Sequence, residues 1–214
     1  MKPRIFIGLA SLVILLMAMG AYAVWLFARL GSSVDVILRE NYPSVLAGQQ
    51  MKESAERMDS ALVLSLVGEE ASARKIYDEN LQLFQISVNR ELHNITLPAE
   101  LLFADTARSL HEHYAARAET FWQTRDLAAR RSMYFSEMLP LFTRVEDAAE
   151  DVIRINQKHM VAADRETRSL SARSTRNMAL AVLAGIVSAV FFAWRLQRSV
   201  LQPIPTIAAA APRA

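Results

Sequence analysis

The residues best suited to acid–base or metal chemistry in this chain are its four histidines, and their spacing works against them. His111-Glu112-His113-Tyr114 sets two imidazoles two positions apart, so on a helix they leave from different faces. A zinc pair needs i,i+4 spacing, as in H-E-x-x-H. The chain has no cysteine, which excludes a structural thiolate zinc site. His111 and His113 therefore read as solvated helix residues. His159, on an apolar seam, reads as a hydrogen-bonded core histidine. No G-x-x-x-x-G-K-S/T loop and no G-x-G-x-x-G turn occurs to cradle a phosphate. No catalytic residue, metal or cofactor is expected.

The remaining polar candidates are ligand contacts. Lys52, Arg57 and Asp59 flank an apolar stripe of Met51, Met58 and Leu62, and Arg117 sits on a mixed stripe further along. Inward basic groups of this kind could make charge-assisted hydrogen bonds to an anion. The plainer reading is a rim of i,i+4 ion pairs such as Lys52 with Glu56. Asn94-Ile95-Thr96 fits the glycosylation triplet, but it reads as the close of a helix.

The elements that position these residues follow from the distribution of apolar side chains. The 214 residues are 52% hydrophobic and 21% charged, above the apolar share of an ordinary soluble domain. Ile5 to Ala28 is an uncharged run of 24 residues, and Met178 to Trp194 one of 17. A bilayer core takes about 17–25 residues of helix. Lys2, Arg4 and the Ala21-Tyr22-Ala23 triplet also suit a signal peptide. The apolar run continues past that triplet through Phe27, longer than a signal core of about 7–15 residues, so an uncleaved anchor is the better reading.

Charge sets the expected orientation. All 22 Asp and Glu fall between Arg29 and Arg176. The flanks carry Lys2, Arg4, Arg195, Arg198 and Arg213 and no acid. Positive residues beside spans stay cytoplasmic, so both ends are expected there. The basic balance is then a topology signal, and nucleic acid is not an expected partner.

Between the apolar runs, breakers are scarce and no period-2 alternation is sustained, which predicts long helices. The first, from Ser32 to about Val67, carries Val34, Leu38, Val45, Met51, Ala55, Met58, Leu62 and Leu66, with Pro43 bending it near the membrane. The second follows Gly68 with Ala73, Ile76, Tyr77, Leu81, Phe84 and Val88. The third follows Pro98, with Leu102, Thr106, Leu110, His113, Arg117 and Phe121 as its stripe. A charged connection is expected from Thr124 to Arg131. The fourth helix has a heptad seam through Val145, Val152 and His159, and through Ala148, Ile155, Ala162 and Ser169. The expected fold is all-α: an up-down-up-down four-helix bundle anchored between two transmembrane helices. The expected segments are a cytoplasmic 1–4, a span at 5–28, an extracytoplasmic bundle at 29–177, a second span at 178–194, and a cytoplasmic 195–214.

Glu40-Asn41-Tyr42-Pro43-Ser44-Val45-Leu46-Ala47, with Met51-Lys52-Glu53 and Glu56-Arg57-Met58-Asp59-Ser60-Ala61, resembles the first sensor helix of sensor histidine kinases with a KinB-like periplasmic four-helix bundle. The Asn94-Ile95-Thr96-Leu97-Pro98 break resembles theirs as well. Arg195-Leu196-Gln197-Arg198-Ser199-Val200-Leu201-Gln202-Pro203-Ile204 is similar to the opening of a HAMP linker, cut short, and Pro203 would be its signal-transmission joint. The resemblance implies the signal-sensing input module of a two-component receptor in a bacterial inner membrane. It would pair as a homodimer, answer an unknown small ligand or periplasmic partner, and act on a kinase or chemoreceptor signalling partner. Chemoreceptor input regions share this layout, and a non-switching membrane-anchored scaffold is the other alternative.

Overall fold

The computed structural model describes residues 2–196; Pro203 and the rest of the linker-like segment lie outside the described residues. Among the described residues, six α-helices follow one another: α1 (Lys2–Asp35), α2 (Tyr42–Ser65), α3 (Glu70–Leu92), α4 (Glu100–Gln123), α5 (Leu127–Met133) and α6 (Leu139–Leu196). Among the described residues there is no strand, so the all-α expectation holds.

Two short π-helical segments interrupt the α-helical ladder, Val36–Asn41 before α2 and Tyr134–Met138 before α6. A proline explains each. Pro43 and Pro140 stand two residues into the helix that follows, where each lacks an N–H and its ring crowds the carbonyl four residues back. The π-helical turn shifts the bonding to five residues back: Tyr42 N–H reaches the Ile37 carbonyl, and Leu139 N–H reaches that of Tyr134. Asn41 Nδ2 spans the first widened turn by donating to the Val36 carbonyl at 3.0 Å. The bend expected at Pro43 is thus a π-helical turn just ahead of it.

The chain divides into two compact units. One comprises the N-terminal segment up to Ser33 with the C-terminal segment from Arg165; the other is Val34–Asp164. In the first, α1 and the end of α6 run antiparallel. Tyr22 hydrogen-bonds Ser174 at 2.9 Å, Arg29 pairs with Glu166 at 3.5 Å, and Gly185 lies against the Leu15 side chain. Two continuous helical stretches, Val13–Ser65 and Leu127–Arg195, each contain an 18-residue window apolar enough to cross a membrane. Only 6% and 0% of those windows are buried. A helix in a soluble core would bury such a surface; here Ile14, Met17, Val24, Phe27, Leu183 and Val190 are all exposed.

In the second unit, α2, α3, α4 and α6 contribute to one apolar core. Met51, Met58 and Leu62 come from α2, Tyr77, Phe84 and Val88 from α3, Tyr114 and Phe121 from α4, and Val145 and Val152 from α6. Each such side chain, fully buried, contributes about 1.5–3 kcal/mol of hydrophobic free energy. The stripes expected on α2 and α3 match these burials, but Val34 and Leu38, expected on the same stripe ahead of α2, are exposed. That on α4 is displaced: Leu102, Thr106 and His113 are exposed, and Ala104, Ala107, His111, Tyr114 and Ala118 are buried. Small alanines let a neighbouring helix come close, whereas a search for bulky residues passes over them. On α6 the seam is buried at Val145, Ala148 and Val152, but His159, Ala162 and Ser169 are exposed, so His159 is not a core histidine. The connection after α4 is also shorter than expected, because α5 begins at Leu127 with Asp126 capping it through Ala129 N–H at 2.9 Å.

At Gly48, α2 passes close to α6. A Cβ there would stand 2.6 Å from Ile153 Cγ1 and 3.3 Å from the Ala149 carbonyl oxygen. Gly48→Val should therefore destabilise the protein by about 1–3 kcal/mol through overpacking. Gly48→Ala should lose less, since a helical alanine regains about 1 kcal/mol over glycine. Thermal unfolding followed by circular dichroism checks the order; a Gly48→Val protein melting with the wild type would contradict the packing.

Candidate functional site

The basic residues singled out from the sequence are each committed to a carboxylate, and they do not converge on one cavity. Lys52 reaches across to α6, to Glu150 at 3.0 Å and Glu146 at 3.6 Å, instead of pairing with Glu56 along its own helix. The hydrogen bond to Glu150 raises its pKa. Arg57 pairs with Glu53 at 2.9 Å on the exposed face of α2. Arg117 pairs with Glu137, a contact that raises the arginine and lowers the glutamate. These are surface ion pairs, in which solvent screens most of the attraction.

Asp59 differs from them, because it turns inward. Its Oδ2 accepts the Tyr134 hydroxyl at 2.9 Å, and its Oδ1 is buried without a partner. Burial raises its pKa, with Tyr134 acting in the opposite sense. Tyr114 and Tyr77 continue the polar interior; both hydroxyls are buried and unpartnered, and burial raises both pKa values. His111 is 2% exposed and stacks flat on Phe84, with ring centroids 4.0 Å apart. Its solvated reading is therefore wrong. Burial lowers its pKa to about 4, so the ring is neutral near pH 7. Unpartnered groups of this kind cost free energy in a core.

The densest polar cluster lies where the start of α2, the end of α3, the start of α4 and the middle of α6 meet. Glu100, on the first turn of α4, reaches back along the chain. Its Oε2 accepts the backbone N–H of Thr96 at 2.7 Å and of Leu97 at 3.0 Å, as the glutamate of a capping box does. Its Oε1 accepts Asn156 Nδ2 of α6 at 2.7 Å. Asn156 Nδ2 also donates to the Val152 carbonyl at 3.0 Å, and two acceptor partners settle which way the amide faces. Burial raises the Glu100 pKa, yet these donors outweigh it and the net shift is downward. Glu91, at the end of α3, is its opposite. It is 0% exposed, neither carboxyl oxygen has a hydrogen-bond partner, and Ser44 and Glu100 are the groups that act on it. Burial is the main cause that pushes its pKa up to about 8.

Asn94 closes this cluster over the start of α2. Its Nδ2 donates to the Glu40 carbonyl at 2.8 Å and to Ser44 Oγ at 2.9 Å. That nitrogen is the atom a glycan would occupy, so the triplet here serves packing. At the opposite ends of α2 and α4, a cleft of about 830 Å³ opens among Ser65, Glu70, Trp122, Arg125 and Arg130. Arg130 is buried there. It donates through Nε to the Thr124 carbonyl at 2.9 Å, pairs with Glu70 at 3.3 Å and lies over the Phe121 ring.

Comparison with protein families, characterised proteins and solved structures finds no match.

Sequence reasoning missed Glu91, Glu100, Asn156 and the inward role of His111. One signal was available: Thr96 lies four residues before Glu100 in a Pro-containing break, the setting of a back-reaching glutamate. Nothing in the local pattern told that Glu91 is buried.

The groups that hydrogen-bond Glu100 are all donors, so both of its oxygens accept. Glu100→Gln keeps the shape but turns an NH2 toward donors, leaving at least one group without a partner. It should cost about 1–3 kcal/mol. Chemical or thermal unfolding of the purified protein measures the loss, and unchanged stability would contradict the described bonding.

Proposed function

We propose that the chain is the signal-sensing input region of a bacterial two-component receptor. In this reading, α1 and the end of α6 span the inner membrane, and residues 29–177 form an up-down-up-down four-helix bundle outside the cytoplasm. Both termini are cytoplasmic, and two copies pair in parallel.

The observation that carries the reading is the reach of α6. One uninterrupted helix, Leu139–Leu196, holds the buried core residues Val145, Val152 and Asn156 and also the exposed apolar stretch around Leu183 and Val190. A change in core packing would shift that helix as a rod. The partly unsatisfied polar interior supports a unit that two packings share closely, since it lowers the stability of either one. A stimulus can move such an equilibrium only by its differential affinity for the two states. The confinement of all 22 acids between the apolar runs supports the topology. Val34, Leu38, Tyr42 and Leu46, exposed at intervals of four, offer an apolar stripe for a second copy.

Reporter fusions should place Leu97 and Asp126 outside the cytoplasm and positions after Arg198 inside it. A cytoplasmic signal at Asp126 would refute the topology. For signalling, residues 1–204 spliced onto an intact HAMP and kinase region should give regulated phosphorylation of the cognate response regulator. The comparison is the same chimera lacking residues 40–170. Identical phosphorylation of the two under all envelope conditions would reject the sensor and favour a membrane-anchored scaffold.

A further inference from the structure

The carboxyl pair where four helices meet has a valence left open. Glu100 is fully satisfied as an anion by three nitrogen donors, two of them backbone amides of the α3–α4 connection and one from Asn156 of α6. Glu91, at the end of α3, lies close enough to Glu100 for the two charges to repel; neither of its oxygens has a hydrogen-bond partner, and it is wholly inaccessible to solvent. From α2 the group beside it is Ser44, whose hydroxyl accepts Asn94 Nδ2 at 2.9 Å and so keeps its own hydrogen to give. No cation among the described residues acts on Glu91, and its sequence neighbours Arg90 and His93 are exposed. Two adjacent buried carboxylates with no cation cannot both ionise without a large desolvation and repulsion cost.

We infer that Glu91 and Glu100 form a proton-binding site, in which Glu91 holds one proton that joins the end of α3 to the start of α4, and whose loss loosens the junction of α2, α3, α4 and α6. The occupant is the proton itself. In the bound state the Glu91 carboxylic acid has an O–H to donate toward Glu100, and the pair carries a single negative charge, all of it on the oxygens that the amides hold. In the released state a second charge stands in the same dry space. Because the inference concerns the packing of the helical unit alone, it stands or falls apart from the receptor reading, which the chimera tests.

The pH signature follows from proton linkage. The Glu91 pKa is raised from 4.5 to about 8 on folding, so the folded state holds a proton that the unfolded chain has lost, and stability falls as pH rises between those values. His111 works in the opposite sense, being lowered from 6.5 to about 4, so its contribution makes stability rise with pH over that interval. The two overlap and offset below pH 6.5. From 6.5 to about 8, Glu91 acts without that opposition.

The experiment is the equilibrium unfolding of the full chain in a mild detergent from pH 6 to 9, for the wild type and for Glu91→Gln. The amide has nearly the shape of the protonated acid and donates a hydrogen as it does. The folding constant of the wild type should fall by about tenfold per pH unit between 6.5 and 8 and then level off, whereas that of Glu91→Gln should show no such fall. Difference infrared spectroscopy of the folded wild type gives a readout independent of the variant's folding. At pH 7 it should show the carbonyl stretch of a protonated carboxylic acid, lost by pH 9. A flat wild-type profile, the same slope in both proteins, or no protonated-acid band at pH 7 would overturn the inference. So would stability independent of pH that rises on adding Ca²⁺, which would make the occupant a metal cation.

Discussion

A carboxylate that accepts from three nitrogens holds the junction on which the helical unit turns. Glu100 occupies the first turn of α4, where helix N–H groups lack partners of their own, and it spends one oxygen on the backbone just ahead of it. The other oxygen reaches Asn156 in the middle of α6. One side chain thereby sets the entry of α4 and ties it to the longest helix of the chain. That tie confines the options of Glu91. Beside a carboxylate that is already ionised and with no cation acting on it, a second carboxyl in the same space keeps its proton or breaks the packing.

The backbone imposes a second set of constraints. Pro43 and Pro140 each demand a widened turn before them, so α2 and α6 both begin with a π-helical approach. Such segments recur at places where a helix must be re-aimed. Beyond the first of them, Gly48 brings α2 against Ala149 and Ile153 of α6. Close approach of this kind leaves little space for adjustment in the core, and the polar residues there sit in fixed positions with or without partners.

In the proposed receptor reading, that combination would bear on signalling. A core built only from Met, Leu and Phe would prefer one packing by a wide margin. Here Asp59, Tyr77, Tyr114, His111 and Glu91 all place polar atoms inside without complete pairing. Each lowers the gap between the described packing and another that would pair or hydrate those atoms. A receptor input region requires such a small gap, because a stimulus supplies only a few kcal/mol of differential affinity. α6, which contributes to the core and to the exposed apolar stretch, is the element suited to transmit the difference.

The helical class and the two apolar stretches were legible in the sequence because they depend on periodicity and run length. These properties survive without knowing any neighbour. The faces of α2 and α3 were legible for the same reason, since bulky apolar residues recur there at helical spacing. The face of α4 was not: its burial follows alanines and His111, and small residues become core only when a partner helix is close enough to cover them. His159 and His111 exchanged roles on that account, one expected inside and found exposed, the other expected in solvent and found stacked on Phe84. Lys52 could be seen to need a carboxylate, but the choice of Glu150 over Glu56 required the second helix to be in place. The Glu91–Glu100 pair lay wholly beyond the sequence. Nine positions apart across a proline-containing break, the two meet only because tertiary packing folds the end of α3 against the start of α4, and the resulting exclusion of water, not the residue types, sets their protonation.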